Sequence, residues 1–243
     1  MSFAENGYVL LPGRFSAAEC NSLRVEADAI VAHLSRQGNL DATWPGAWRE
    51  REDGTRVLSV HGMHMLSAAF TRMMADPRIL DPIEEIIGPD IQLHHMKMHH
   101  KPAGEGSPFP LHQDYPYFPH ELETMLAAVV CLDAADAESG GFCVVPGSHR
   151  LGALESVTDG SYFLPPEEWP LTRGVAVNAA QGDLLLLHYK VVHGSYPNRS
   201  PRDRRIVLFQ YRSPHDRPLE AVHLSAGQGT MVRGRAFRED VQP

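Results

Sequence analysis

The runs Leu126-Ala127-Ala128-Val129-Val130-Cys131-Leu132 and Gly140-Gly141-Phe142-Cys143-Val144-Val145, the second closed by Pro146-Gly147-Ser148-His149, decide the fold class. Each is a short apolar run of the kind that fills a buried strand. Working outward, Leu184 to Leu187 and Ile206 to Tyr211 repeat the signature. Ile91 to His100 alternates in a strand-like way before the turn Lys101-Pro102-Ala103-Gly104-Glu105-Gly106. Short strands separated by Gly/Pro turns predict an all-β sandwich or barrel. Residues 152–174, with Pro165-Pro166 and Trp169, show no period, and so long an irregular stretch inside a domain predicts a lid or binding loop.

Upstream of residue 90 the pattern is helical. Ser16-Ala17-Ala18-Glu19 reads as a capping box with Phe15 as its staple. Leu23, Ala27, Ile30 and Leu34 then recur at helical spacing as far as Gly38. A second helix is predicted from Ser67 to Met74, and a third from Asp76-Pro77 to Gly88-Pro89. Residues 39–60, with Trp44 and Trp48, read as loop with short extended pieces. The expected organisation is a single domain over 1–243: a mostly helical part at 1–89, a β core at 90–215 and the insert at 152–174.

The 22 Lys and Arg stand against 30 Asp and Glu, and a net charge of -8 argues against non-specific nucleic-acid binding. No apolar stretch approaches the roughly 18 residues of a membrane span. Met1-Ser2-Phe3-Ala4-Glu5-Asn6 has neither a basic n-region nor an apolar h-region, so no signal peptide is expected. Cys20, Cys131 and Cys143, odd in number and widely spaced, predict a reduced, cytoplasmic protein. The unusual feature is the set of 14 histidines, several of them paired or beside carboxylates.

His112-Gln113-Asp114 is the strongest local signal. On an extended strand, residues two apart share a face, so an imidazole and a carboxylate converge. His193, in Val191-Val192-His193-Gly194-Ser195, supplies a second imidazole. Two imidazoles and one carboxylate make the facial triad of non-haem Fe(II) oxygenases, with positions left open for other ligands. Arg204 opens the strand Arg204-Arg205-Ile206-Val207-Leu208. Its guanidinium can grip a carboxylate through two charge-assisted hydrogen bonds, each worth roughly 1.5–3 kcal/mol. Ser195, two residues past the histidine, can add a hydroxyl.

Lys101-Pro102-Ala103-Gly104 through Pro110-Leu111-His112-Gln113-Asp114 resembles the phytanoyl-CoA dioxygenase family of Fe(II)/2-oxoglutarate oxygenases. So do Gly140 through His149, and Gly182-Asp183-Leu184 through His193-Gly194-Ser195. With Arg204, the matches run in the family's order over roughly residues 90–212. The resemblance implies a mainly β fold with flanking helices, a double-stranded β-helix or cupin-like jelly roll. It implies Fe(II) on His112, Asp114 and His193, and 2-oxoglutarate and O2 as cosubstrates. The far carboxylate of 2-oxoglutarate falls to Arg204 and Ser195, and Lys97 is a further cosubstrate contact. Halogenating relatives carry Ala or Gly where this chain keeps Asp114, so hydroxylation or a related oxidation is expected. Desaturation, epimerisation and cyclisation share that chemistry. The resemblance implies a small-molecule metabolite as substrate, with succinate and CO2 released, and a chain short for the family's acyl-CoA hydroxylases favours a secondary-metabolite tailoring role.

Tyr115, Tyr117, Trp44 and Arg212 are the candidate substrate contacts, Arg212 because it shares strand parity with Arg204. In His94-His95 and His99-His100, adjacent strand residues face opposite ways, so one imidazole of each pair is expected inward. His188 is expected on the face opposite His193, and Arg205 in solvent. Two other readings remain at this level. One is a cupin-like metal isomerase or hydrolase that needs no O2. The other is a non-catalytic ligand-binding barrel anchored by Arg204.

Overall fold

Apolar runs without polar alternation need cover on both faces. The computed structural model, which describes residues 2–37, 48–51, 54–57, 59–104, 106–157, 162–220 and 224–237, shows where that cover comes from. In chain order the elements are α1 (Phe3–Asn6), β1 (Tyr8–Leu11), α2 (Ala17–Gln37), β2 (Trp48–Arg51), β3 (Gly54–Val57), β4 (Ser59–His61), α3 (Ala68–Met73) and α4 (Pro77–Ile87). There follow β5 (Ile91–Lys101), β6 (Phe109–His112), β7 (Leu126–Cys131), β8 (Phe142–Val144), β9 (Val175–Ala176), β10 (Leu184–His188), β11 (His193–Ser195), β12 (Arg204–Arg212) and β13 (Met231–Arg233). A seven-stranded sheet runs β1-β10-β7-β12-β5-β13, with β4 also on β5. A four-stranded sheet runs β6-β11-β8-β9, and β2 and β3 form a separate hairpin. The two larger sheets curl around one cavity as a jelly roll.

The side chains of the large sheet divide by parity. Leu126, Ala128, Val130, Leu184, Leu186, Val207, Phe209 and Tyr211 face the helices, packing with Phe15, Ala27, Ile30, Leu34, Phe70 and Ile83. Ala127, Val129, Cys131, Leu185, Leu187, Ile206 and Leu208 face the other way, packing with Phe142 and Val144 of the small sheet. Burial on both faces is why these strands read as unbroken apolar runs. Each fully buried Val, Leu, Ile or Phe stabilises the fold by roughly 1.5–3 kcal/mol. Among the described residues, no helix is long and apolar enough to cross a membrane.

The capping box forms as read: Glu19 N–H donates to Ser16 Oγ at 3.3 Å, and Ser16 N–H donates to Glu19 Oε2 at 2.9 Å. The N-terminal part is less helical than its pattern suggests, because β1 pairs with the free edge of β10 and β4 pairs with β5. An exposed strand edge offers unpaired backbone groups to any extended neighbour, a pairing that leaves no periodic mark. Arg205 is not solvated. It points to the helix side and joins Asp28, Asp133 and Asp203, fastening α2 to the sheet.

Candidate active site

His112 is the last residue of β6 and stands opposite His193 of β11, which also pairs with Val144 of β8. Asp114 is not on the strand. It adopts φ -73°, ψ -22° at the start of the 3-10 turn Tyr115–Tyr117, so its carboxylate reaches the histidines because the chain turns. Single donor atoms of His112, Asp114 and His193 lie within 4.8 Å of one another, and all three residues are buried. The Nε2 atoms of His112 and His193 are 3.6 and 4.0 Å from Asp114 Oδ1. Each Nδ1 sits 3.0 Å from the carbonyl oxygen two residues earlier, Pro110 and Val191 respectively. With Nδ1–H donating there, both Nε2 lone pairs turn toward the carboxylate. Gln113, between the donors, turns away. Its Nε2 donates to Gly152 O and Lys190 O while Oε1 accepts from Leu154 N–H, tying residues 152–154 to the site.

Burial works to raise the Asp114 carboxyl, but the close approach of the His112 imidazole and the charges of His193 and Lys97 override it and hold the group well below the usual carboxylate range. Burial, with the neighbouring His112 charge, pushes His193 down to about 4. A buried carboxylate beside a neutral imidazole at neutral pH is the protonation state that cation binding requires.

The second cluster lies at the far end of β12. Arg204 is 1% exposed and donates from Nη2 to Gly140 O at 2.9 Å. Its Nε and Nη1 have no hydrogen-bond partner among the described residues. Gly140 has φ +83°, which turns its carbonyl to the guanidinium, and a Cβ there would lie 2.8 Å from Lys101 Cδ. Lys101 stands opposite Arg204 in the β5–β12 register and donates from Nζ to Ser195 Oγ at 2.8 Å and Tyr196 O at 2.5 Å. Burial first, and then the Arg204 charge, pushes Lys101 down to about 6, while burial lowers Arg204 to about 10. Gly194 lets β11 pass close to β6, since a Cβ there would lie 2.6 Å from Phe109 O.

Both clusters line one cavity of about 340 Å³, whose wall also includes Lys97, His99, Phe109, Tyr117, Phe118 and Phe142. Tyr117 stands edge-on to His112, with ring centroids 6.4 Å apart. Tyr115 and Arg212 are not in the cavity wall. The Tyr115 ring packs on Tyr189 and lies under Lys190 Nζ. Arg212 is at the end of β12, where it donates to the carbonyls of Ser213 and Asp216 in the following turn. Trp44 lies outside the described residues. Residues 162–164 of the insert run beside β6, where Leu164 N–H donates to Leu111 O and the Phe163 ring meets His112 at 6.1 Å.

Two site features escaped the sequence reading. Lys101 was visible only as a turn residue, although it shares parity with Lys97 and His99 on the alternating strand. His94 and His95 both turn inward, against Phe118. Gln210 opposes His95 and Tyr211 opposes Leu93, so His94 is the extra residue of a β-bulge and strict alternation fails there. His188 ends β10 and His193 begins β11, so they belong to different sheets, not to opposite faces of one strand.

A sequence profile described as "Phytanoyl-CoA dioxygenase (PhyH)" matches residues 3–206. The chain belongs to that family. This PhyH chain is 25% identical, over 96% of its own length and 85% of the relative's, to the probable alpha-ketoglutarate-dependent hypophosphite dioxygenase of Stutzerimonas stutzeri. The PhyH fold here superposes on EctD from S. alaskensis, solved with 2-oxoglutarate and 5-hydroxyectoine, with a TM-score of 0.73 at 22% identity, covering 97% of this chain and 86% of that one. It also superposes on SnoN, a non-heme alpha-ketoglutarate-dependent epimerase from nogalamycin biosynthesis, with a TM-score of 0.71 at 24% identity over 96% of each chain.

Proposed function

We propose that the protein is an Fe(II)- and 2-oxoglutarate-dependent dioxygenase that hydroxylates an unactivated C–H of a small metabolite, in the manner of a tailoring enzyme. The observation that carries this reading is a cavity in which the His112, Asp114 and His193 donors converge and a buried guanidinium has two nitrogens without a partner among the described residues. Two imidazoles and one carboxylate suit divalent iron and leave positions open. A buried arginine with no ion pair among the described residues suits a carboxylate ligand. Family membership and the relatives' dependence on 2-oxoglutarate support the same assignment.

His112, Asp114 and His193 would hold the iron. Arg204, Lys101 and Ser195 would hold the distal carboxylate of 2-oxoglutarate, Lys101 taking the part that its neighbour Lys97 was expected to play. When bound, the iron with its keto acid supplies O2 activation and C–H oxidation, with succinate and CO2 as coproducts. The chain supplies the geometry. The Nδ1–H bonds to Pro110 and Val191 fix the imidazole planes, and Asp114 stays ionised. Phe109, Tyr117, Phe118 and Phe142 line the site with aromatic rings. Desaturation, epimerisation or cyclisation would use the same donors and differ in which C–H the wall holds in reach.

The expected result is that purified protein forms succinate from 2-oxoglutarate only with Fe(II) and O2 together, and shows the visible charge-transfer band of a keto acid on iron under anaerobic conditions. Substrate conversion without O2 would transfer the site to the metal-isomerase reading, and absence of both metal and keto-acid binding would leave a simple binding barrel.

A further inference from the structure

The cavity wall carries three basic side chains, Lys97, Lys101 and Arg204, against one carboxylate, Asp114, in a chain whose net charge is -8. Charge in an enclosed site calls for a partner. On the oxygenase reading, which this inference presupposes, a divalent cation at the triad and a dianion in the clamp cancel one another. Lys97, Lys101 and Arg204 then still face Asp114 alone, and loss of the Lys101 proton leaves two cations against one anion.

The surplus has a location. Arg204 and Lys101 stand opposite each other at one end of the β5–β12 ladder, where they would hold the keto acid. Lys97 is on the same face of β5, four residues away, or about 13 Å at the usual strand rise. It stands opposite Leu208 on one side and His61 on the other. Its side-chain nitrogen has no hydrogen bond or ion pair among the described residues; burial lowers its pKa and the nearby Asp114 charge works against that, so an anion in the cavity would favour the ammonium form. Leu208, Tyr117 and Phe118 share the wall with it, together with the polar His61 and His99, so among the described residues Lys97 is the one Lys or Arg in this stretch of a mixed surround.

We infer that Lys97 is a substrate anchor and that the substrate is a small acid, bearing a carboxylate or phosphoryl oxyanion that pairs with the Lys97 ammonium beside the metal donors. The volume of about 340 Å³, shared with the keto acid, restricts that acid to the size of an amino acid or a compact organic acid. The anion orients the substrate; the carbon to be oxidised is the one its length brings to the triad. Lys97 thereby decides specificity.

The test is thermal unfolding of protein saturated with Ni(II), which does not turn over, and 2-oxoglutarate. Sodium propionate, propionamide and inorganic phosphate serve as probes. Propionate or phosphate near ten times its dissociation constant is expected to raise Tm by about 2–4 °C, and propionamide to raise it by less than about 1 °C. A response to propionate alone assigns a carboxylic acid, and a response to phosphate a phosphorylated one. Lys97→Met should erase the difference between acid and amide, Lys97→Arg should keep it, and both should bind 2-oxoglutarate within about twofold of the parent. Equal shifts with propionate and propionamide, or no shift with any probe, overturn the inference. A tenfold or greater loss of 2-oxoglutarate affinity in Lys97→Met also overturns it, placing Lys97 in the cosubstrate clamp while the oxygenase reading stands. Parent protein that takes up neither Ni(II) nor 2-oxoglutarate brings down that reading, and this inference with it.

Discussion

β5 and β12 pair through nine residues with one register shift, whereas β6 and β11 pair through two with a shift between them. The long ladder spaces its inward side chains at fixed steps, so Lys97, Lys101 and Arg204 stand apart as separate charges on one wall. The short strands do the opposite. β6 ends at His112, the chain turns to present Asp114, and β11 begins at His193, so three donors from separate places meet at one point. Regular pairing distributes charge along a surface; strand ends and turns concentrate it. A metal centre needs the second geometry, while holding one end of an elongated anion suits the first.

The largest effect that could break this division is at the converging end. Asp114→Ala should lower Ni(II) or Fe(II) affinity by more than about 100-fold, since even the loss of a residue that merely supports a ligand costs 10–100-fold. Calorimetric titration checks this, and Tm of the metal-free variant should stay within about 3 °C of the parent because the carboxylate is not part of the packed core. A collapse of Tm would show that the small sheet depends on the donor for its shape.

Arg204→Ala tests the ladder end. It should weaken 2-oxoglutarate binding by about 10–150-fold, the equivalent of roughly 1.5–3 kcal/mol, with metal affinity within about threefold. Loss of metal binding would mean that the two clusters are not independent.

Lys101 gives the smallest and most specific signal. Burial and the Arg204 charge hold it at about 6 in the free protein, and a bound dianion favours its protonated form. Above that pH, binding must take up a proton, so 2-oxoglutarate affinity should fall as pH rises from about 6 to 8, by at most tenfold per unit. Below it, the lysine is charged in both states and adds no slope. Lys101→Met should flatten the profile; an equally steep profile in the variant would assign the proton uptake elsewhere.

Much of this was legible beforehand because it is local. The apolar runs at 126–132 and 184–187 became strands with both faces covered, and Ser16 and Glu19 formed their reciprocal cap. The residue types at 112, 114, 193 and 204 limited the chemistry to a cation beside an anion. Parity was the weaker guide. It placed Arg212 toward the cavity, but that side chain is held by its own following turn, and it divided His94 from His95, but a bulge brings both inward. Lys101 read as a turn residue because nothing nearby in the chain foretells its partner on β11.

The sequence by itself determined the core strands and the capped helices, and which side chains could act as ligands, because backbone propensity and donor chemistry are properties of a residue and its near neighbours; the edge strands β1 and β4 were left to pairing. Tertiary structure alone decided which strands meet, where pairing slips by one residue, and that His193 lies against His112 while Lys101 lies against Arg204. Those outcomes depend on contacts between residues far apart along the chain, whose pairing is selected by burial of the whole sheet.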